Sequence, residues 1–270
     1  RTTAAAPQAI AAELRRKAGG KLKNVYAARN FWPLWSISGN IGPEAEALIA
    51  YLASADLDGL KPKSYKPDKL QKAVIAARSG DVKAIAKAEV ELSKALSRYS
   101  ADLRRLPKRD LAGVVYADPA LRPAKKPSEE TALRVGAMAP SFSYYVASMS
   151  WMSPHYLRMR NMLVQARARG ALEDVQRRLR LNLERTRFLP GPFARHIVVD
   201  SAVGKLYYYQ AGRLLGSMKV VVGKQASPTP MMAGMMRYAI VNPYWNVPVD
   251  LVQIAAAEYH SRLRVGDDER

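Results

Sequence analysis

Apolar residues fall at helical spacing up to Pro190 and change period after it. The strongest pattern runs from Asp81 to Leu103. There Ile85, Ala88, Leu92, Leu96, Tyr99 and Leu103 recur at steps of three or four, leaving Lys83, Lys87, Glu91 and Lys94 toward water. Pro43 stands where a first helical turn begins, with Leu48, Ile49 and Leu52 on one face. Between Leu106 and Pro140 five prolines and many charges predict a long connection holding a short helix at Ser128 to Val135. Ser153-Pro154 pairs an N-cap with a first-turn proline and predicts a helix to Arg169, which Gly170 ends. A further helix over Leu172 to Glu184 turns Val175, Leu179 and Leu183 inward. After Pro190, β-branched and aromatic residues predict strands at His196 to Asp200, Lys205 to Gln210 and Leu214 to Val222, with Arg237 to Val241 as a fourth. Val203-Gly204 and Ala211-Gly212 mark the turns. Helices first and an antiparallel meander after them predict an α+β chain with a boundary near Leu189 to Pro192.

Composition narrows what such a chain can do. It is 49% hydrophobic and 24% charged, which suits a folded protein. Lys and Arg total 43 against 23 acidic residues, a net charge of +20 that attracts polyanions: nucleic acid, anionic lipid or acidic wall polymers. The sequence holds no cysteine, which excludes disulfides, thiolate zinc sites, iron–sulfur clusters and a thiol nucleophile within it. No apolar run approaches the ~20 residues that span a bilayer. The start, RTTAAAPQAIAAELRRK, reads as a mature or trimmed N-terminus, compatible with removal of an export signal.

Candidate chemistry is sparse. His155, His196 and His260 are the three histidines, and none stands at metal-ligand spacing from another, so neither a metal nor a cofactor is expected. Ser201, Ser217, Ser227 and Ser261 lie outside any G-x-S-x-G turn, and no carboxylate pair suggests acid–base work. No catalytic residue is assigned. Arg177, Arg178, Arg180, Arg185 and Arg187 form the densest basic cluster, but they do not share one helical face. They read as a solvated basic surface, without the stacking aromatics of a nucleic-acid site. Phe31, Trp32 and Trp35 read as closing a small core, with Arg29 placed to stack or pair there.

Several short motifs, taken in order, resemble one family. Y-x-x-R-x-F-x-P-x-W stands at Tyr26, Arg29, Phe31, Pro33 and Trp35. GL-x-P-x-x-Y follows at Gly59, Leu60, Pro62 and Tyr65, and E-x-x-LS-x-AL-x-x-Y at Glu89, Leu92, Ser93, Ala95, Leu96 and Tyr99. NLER-x-R-x-LP, from Asn182 to Pro190, leads into HIVVD, where the family usually has Asn in place of Asp200. VVVGK at 220–224, PTP at 228–230 and NPYWNVP at 242–248 complete the series. The order and content resemble the larger bacterial L,D-transpeptidases, in which a helical scaffold domain precedes a YkuD-type catalytic domain.

That resemblance implies an N-terminal segment at 1–25, a helical scaffold domain at 26–189 and an antiparallel β-rich catalytic domain, incomplete here, at 190–270. It implies a periplasmic or cell-envelope location in a bacterium. The partners it implies are peptidoglycan stem peptides or wall polymers, at a wall or membrane surface, with no specific nucleic acid. It also implies a cysteine thiolate that attacks the carbonyl after the third stem residue and expels D-Ala, set in an S-x-G-C-x-R motif after the NP-x-W-x-VP segment. Only VDLVQIAAAEYHSRLRVGDDER follows that segment, and His260 within it has no nucleophile after it. The expectation is a chain that ends inside its catalytic domain and does not cross-link wall peptides alone. Tyr244 and Trp245 are the candidate substrate-binding residues, at the edge of a groove; packing is the weightier role, since buried aromatics are usually core. A non-catalytic wall-binding scaffold is the alternative reading, and a basic nucleic-acid-binding protein a more distant one.

Overall fold

The computed structural model describes residues 7–105, 114–125, 127–191, 193–211, 213–242 and 252. Its core is organised around α5 (Val82–Leu103), a helix buried on most of its circumference. Asp81 caps it by accepting a hydrogen bond from the Ala84 backbone N–H at 2.7 Å. The six apolar positions of the predicted stripe are all buried, and Lys83, Lys87 and Lys94 are exposed. Glu89, Ser93, Ser97 and Ser100 are buried as well. Period alone had marked the stripe but not these polar positions.

The other helices wrap this one. α1 (Pro7–Lys17) inserts Ile10 and Leu14, both fully buried, and α2 (Gly20–Ala27) follows with Leu22, Val25 and Tyr26. A two-residue hairpin, β1 (Ser36–Ile37) and β2 (Asn40–Ile41), leads into α3 (Glu44–Ala53). Pro43 precedes α3, and Leu48, Ile49 and Leu52 are its buried face. Two 3₁₀ turns, Ala55–Asp58 and Pro62–Tyr65, join it to α4 (Pro67–Ala77). Phe31 and Trp35 enter the core as expected, but Trp32 is 45% exposed and does not. Among the described residues Arg29 neither stacks nor pairs with an acid: its guanidinium donates to the Trp32 and Pro33 carbonyls at 2.9 and 3.3 Å.

The connection after α5 carries β3 (Val115–Tyr116) and a short 3₁₀ turn at Pro119–Leu121. The short helix forms two residues later than predicted, as α6 (Glu130–Met138), followed by α7 (Phe142–Ala147). α8 (Pro154–Ala168) starts on Ser153, whose Oγ accepts from the Tyr156 N–H at 3.1 Å. Gly170, at φ +64°, turns the chain out of it. α9 (Glu173–Thr186) packs back on α8, with Leu183 buried, Leu179 half-buried and Val175 at the surface.

Beyond it, β4 (His196–Asp200), β5 (Lys205–Gln210) and β6 (Arg213–Lys219) form an antiparallel sheet in the order β4-β5-β6. Gly204 makes its first turn at φ +60°. The pairing of β5 with β6 slips between Tyr208 and Tyr209, where Leu215 is left as the extra residue of a bulge. Mixed helix and antiparallel sheet make the chain α+β, as its periodicity predicts. The fourth strand is placed differently. Residues 237–241 form no strand; β7 (Met232–Ala233) instead runs parallel to β3, with Val115 opposite Met232. Asp118 explains the arrest. Its carboxylate accepts from the Met235 N–H at 2.6 Å and from Arg237 at 2.9 Å, so the following backbone is held by a side chain and not by a ladder.

Candidate functional site

Two buried carboxylates tie the scattered motifs into one body. Glu89 is fully buried, and its Oε1 accepts from the Trp35 and Ser36 backbone N–H groups at 2.8 and 2.7 Å. Its Oε2 accepts from the Leu34 N–H at 3.1 Å and the Tyr26 hydroxyl at 2.8 Å. One turn further along α5, Ser93 Oγ lies 2.8 Å from both Tyr26 Oη and Trp35 Nε1. The first motif and the third are therefore the two halves of one hydrogen-bonded cluster. Burial pushes the Glu89 carboxyl above the ordinary carboxylate range, while the four donors pull the other way.

Asp58 does the same for the second, third and fourth motifs. Its carboxylate accepts from the Tyr99 and Tyr156 hydroxyls at 2.6 and 2.7 Å, and from Arg160 Nε at 2.9 Å. The side chains of Asp58 and Arg160 are 0% and 6% exposed, so the ion pair is sequestered from water. Arg187, the second arginine of NLER-x-R, donates to the Asp58 carbonyl at 2.8 Å and the Leu103 carbonyl at 3.2 Å, and pairs with Glu184. This locks the end of α9 against the end of α5, and so fixes where the chain leaves for β4.

At that junction an aromatic stack joins sheet to helices. Tyr209 of β5 is buried; its ring lies flat on His196 of β4 (4.9 Å, 12°) and edge-on to His155 of α8 (5.2 Å, 81°). His196 Nδ1 lies 2.8 Å from the Ala194 carbonyl. Neither His155 Nε2 nor His196 Nε2 has a partner among the described residues. Burial first, then the charges of Arg158 and the His196 ring, hold His155 below the ordinary imidazole range, with Asp200 opposing. Among the described residues no hydroxyl is hydrogen-bonded to a nitrogen of either ring. The stack is a joint between two layers. No group of three metal-binding side chains occurs among the described residues.

The sheet offers its other face and its edge to the surroundings. Val199, Leu206 and Met218 form one cross-strand row, and Val199 and Met218 are 50% and 61% exposed. Every residue of β6 is exposed, and among the described residues no strand pairs with its outer edge. Tyr244 and Trp245, the candidate substrate-binding residues, lie outside the described residues, as does His260. The convergence on Asp58 was not legible beforehand, because a lone aspartate beside Gly59 carries no local signal. Nor was the meeting of His155 and His196, 41 positions apart in sequence, on one tyrosine.

Comparison with known proteins agrees with this architecture. The family model of the scaffold domain matches residues 20–163, which is over half of the chain. That of the L,D-transpeptidase catalytic domain matches residues 194–269. A Haemophilus influenzae protein named "Putative L,D-transpeptidase" is 34% identical over 79 residues, 29% of this chain and 16% of that protein. The match therefore spans about a sixth of the relative's length. With a scaffold domain built on the Glu89 and Asp58 clusters and an antiparallel sheet following it, the chain belongs to the L,D-transpeptidase family in the form that joins a scaffold domain to a YkuD catalytic domain.

Proposed function

We propose that this polypeptide is the scaffold and the opening strands of an enzyme that cross-links peptidoglycan stem peptides in the bacterial envelope. The observation that carries the reading is the Asp58–Arg187 lock, which sets the exit of the helical body directly into the strands of the catalytic-domain match. Residues 26–189 then serve as the rigid base, and 190–270 as the catalytic layer set on it. The acyl transfer implied by the family needs a thiolate, and these 270 residues contain no cysteine. On this reading these residues contact wall material and supply no thiolate for the transfer. A charge of +20 favours that binding, since wall polymers carry carboxylates and phosphates.

Co-sedimentation with purified sacculi tests the binding half of the reading. The chain is expected in the pellet at moderate salt. Recovery wholly in the supernatant contradicts it. A second reading, a scaffold that acts through binding alone, is favoured by the same absence of a thiol. It predicts that a cysteine-bearing catalytic segment supplied from outside these residues adds no cross-linking.

A further inference from the structure

Where the end of α5 meets α6, residues 121–124 and 127–128, and the 150–151 turn, the surface opens into a cavity of about 440 Å³. That volume is in the range of small-ligand sites, roughly 300–1,000 Å³. Tyr145, Trp151 and Phe188 supply aromatic wall, and Val135 stands at the rim, 40% exposed. Thr131 adds a hydroxyl, and Arg104 is the one cation among the lining residues described.

Arg104 differs from the two arginines buried in the helical body. Arg160 is matched to Asp58 and Arg187 to Glu184. Arg104 forms no ion pair among the described residues; its Nη2 donates to the Trp151 carbonyl at 2.8 Å. Burial lowers its pKa, and no carboxylate acts to restore it. Trp151 Nε1–H, in a residue 5% exposed, also lacks an acceptor among the described residues. A guanidinium without a carboxylate partner and a buried indole N–H without an acceptor among the described residues, beside an aromatic wall, suit a ligand that brings a negative charge and a small apolar body.

We infer that this cavity is a binding site for a short peptide with a free α-carboxylate, the carboxylate on Arg104 and the peptide body against Tyr145, Trp151 and Phe188. The site lies in the scaffold helices, and the inference does not rest on the acyl-transfer reading. The fork of a guanidinium takes both oxygens of a carboxylate, whereas a carboxamide presents one acceptor and two unwanted donors.

The probes are N-acetyl-alanyl-alanine, its C-terminal carboxamide and acetate, titrated into the 270-residue chain by calorimetry with ligand-observed NMR. The acid is expected to saturate one site with a Kd near or below about 1 mM. The amide and acetate should each bind at least about tenfold more weakly. Arg104→Gln should remove the preference for acid over amide. Because Arg104 also holds the Trp151 carbonyl, Val135→Glu is the second variant: it puts a like charge at an exposed rim position, and should abolish acid binding while leaving the melting temperature unchanged. Equal affinity for acid and amide overturns the inference, as does acetate binding as well as the peptide. So does the absence of binding at about 10 mM, or acid binding to the correctly folded Val135→Glu chain that matches the unmodified one.

Discussion

Glu89 is the residue on which the scaffold's internal order depends most. Its two oxygens face only donors, three backbone N–H groups and one tyrosine hydroxyl. Glu89→Gln keeps the shape but turns an NH₂ toward N–H donors. It should cost about 2–3 kcal/mol in urea unfolding, against under about 1 kcal/mol for a surface Glu→Gln such as at Glu46. Equal effects at the two sites would dismiss the cluster as a stabilising element. Asp58→Asn should cost more, about 3–5 kcal/mol, because it strands the buried Arg160 cation. Pairing it with Arg160→Met should recover part of that loss, and a strictly additive double variant would argue against direct coupling. These residues also define what sequence alone conveyed. Glu89 stood in a motif and, four residues after Ile85 and three before Leu92, on the apolar stripe, but the period does not say what a carboxylate buried there accepts from. The packing partners Tyr26 and Trp35 lie 63 and 54 positions away, so only folding in three dimensions reveals why the motif needs an acid.

Among the elements, those with a strong local code formed where their code put them. α5, α8 and the first two strands of the meander carry caps, period and turn residues that agree with one another. Arg237 to Val241 had β-prone residues but no such agreement, and a contact from Asp118, more than a hundred residues earlier, decided its backbone. The outer row of Val199, Leu206 and Met218 is an apolar surface beside an open edge. It should drive concentration-dependent association of the isolated chain. Met218→Lys is expected to shift sedimentation velocity toward the monomer with little change in melting temperature. An unchanged distribution would place the association elsewhere.

At the scale of the whole molecule, the joint between helices and sheet carries a pH dependence of definite sign. His155 has a folded pKa below its unfolded value of about 6.5, so the unfolded chain binds more protons just below that pH. The contribution of the joint to stability is therefore present above about pH 6.5 and is lost as the pH falls through that value, levelling off below the folded pKa. Comparing urea midpoints of the chain and its His155→Gln variant between about pH 7.5 and 5 isolates this dependence. The unmodified chain should lose more stability on acidification than the variant, and parallel curves would remove His155 from the account. The larger organisation, helical body then antiparallel sheet, was readable from the change of hydrophobic period at Pro190. The apposition of the two layers was not, since it rests on one tyrosine ring between two distant histidines.

On the proposed function, these residues build the base of a wall cross-linking enzyme and supply no thiolate of their own. Incubating the purified chain with tetrapeptide muropeptides, and reading the products by mass spectrometry, tests it directly. The account predicts that the muropeptides return unchanged, with no release of D-Ala. A cross-linked dimer formed by this polypeptide alone would contradict it.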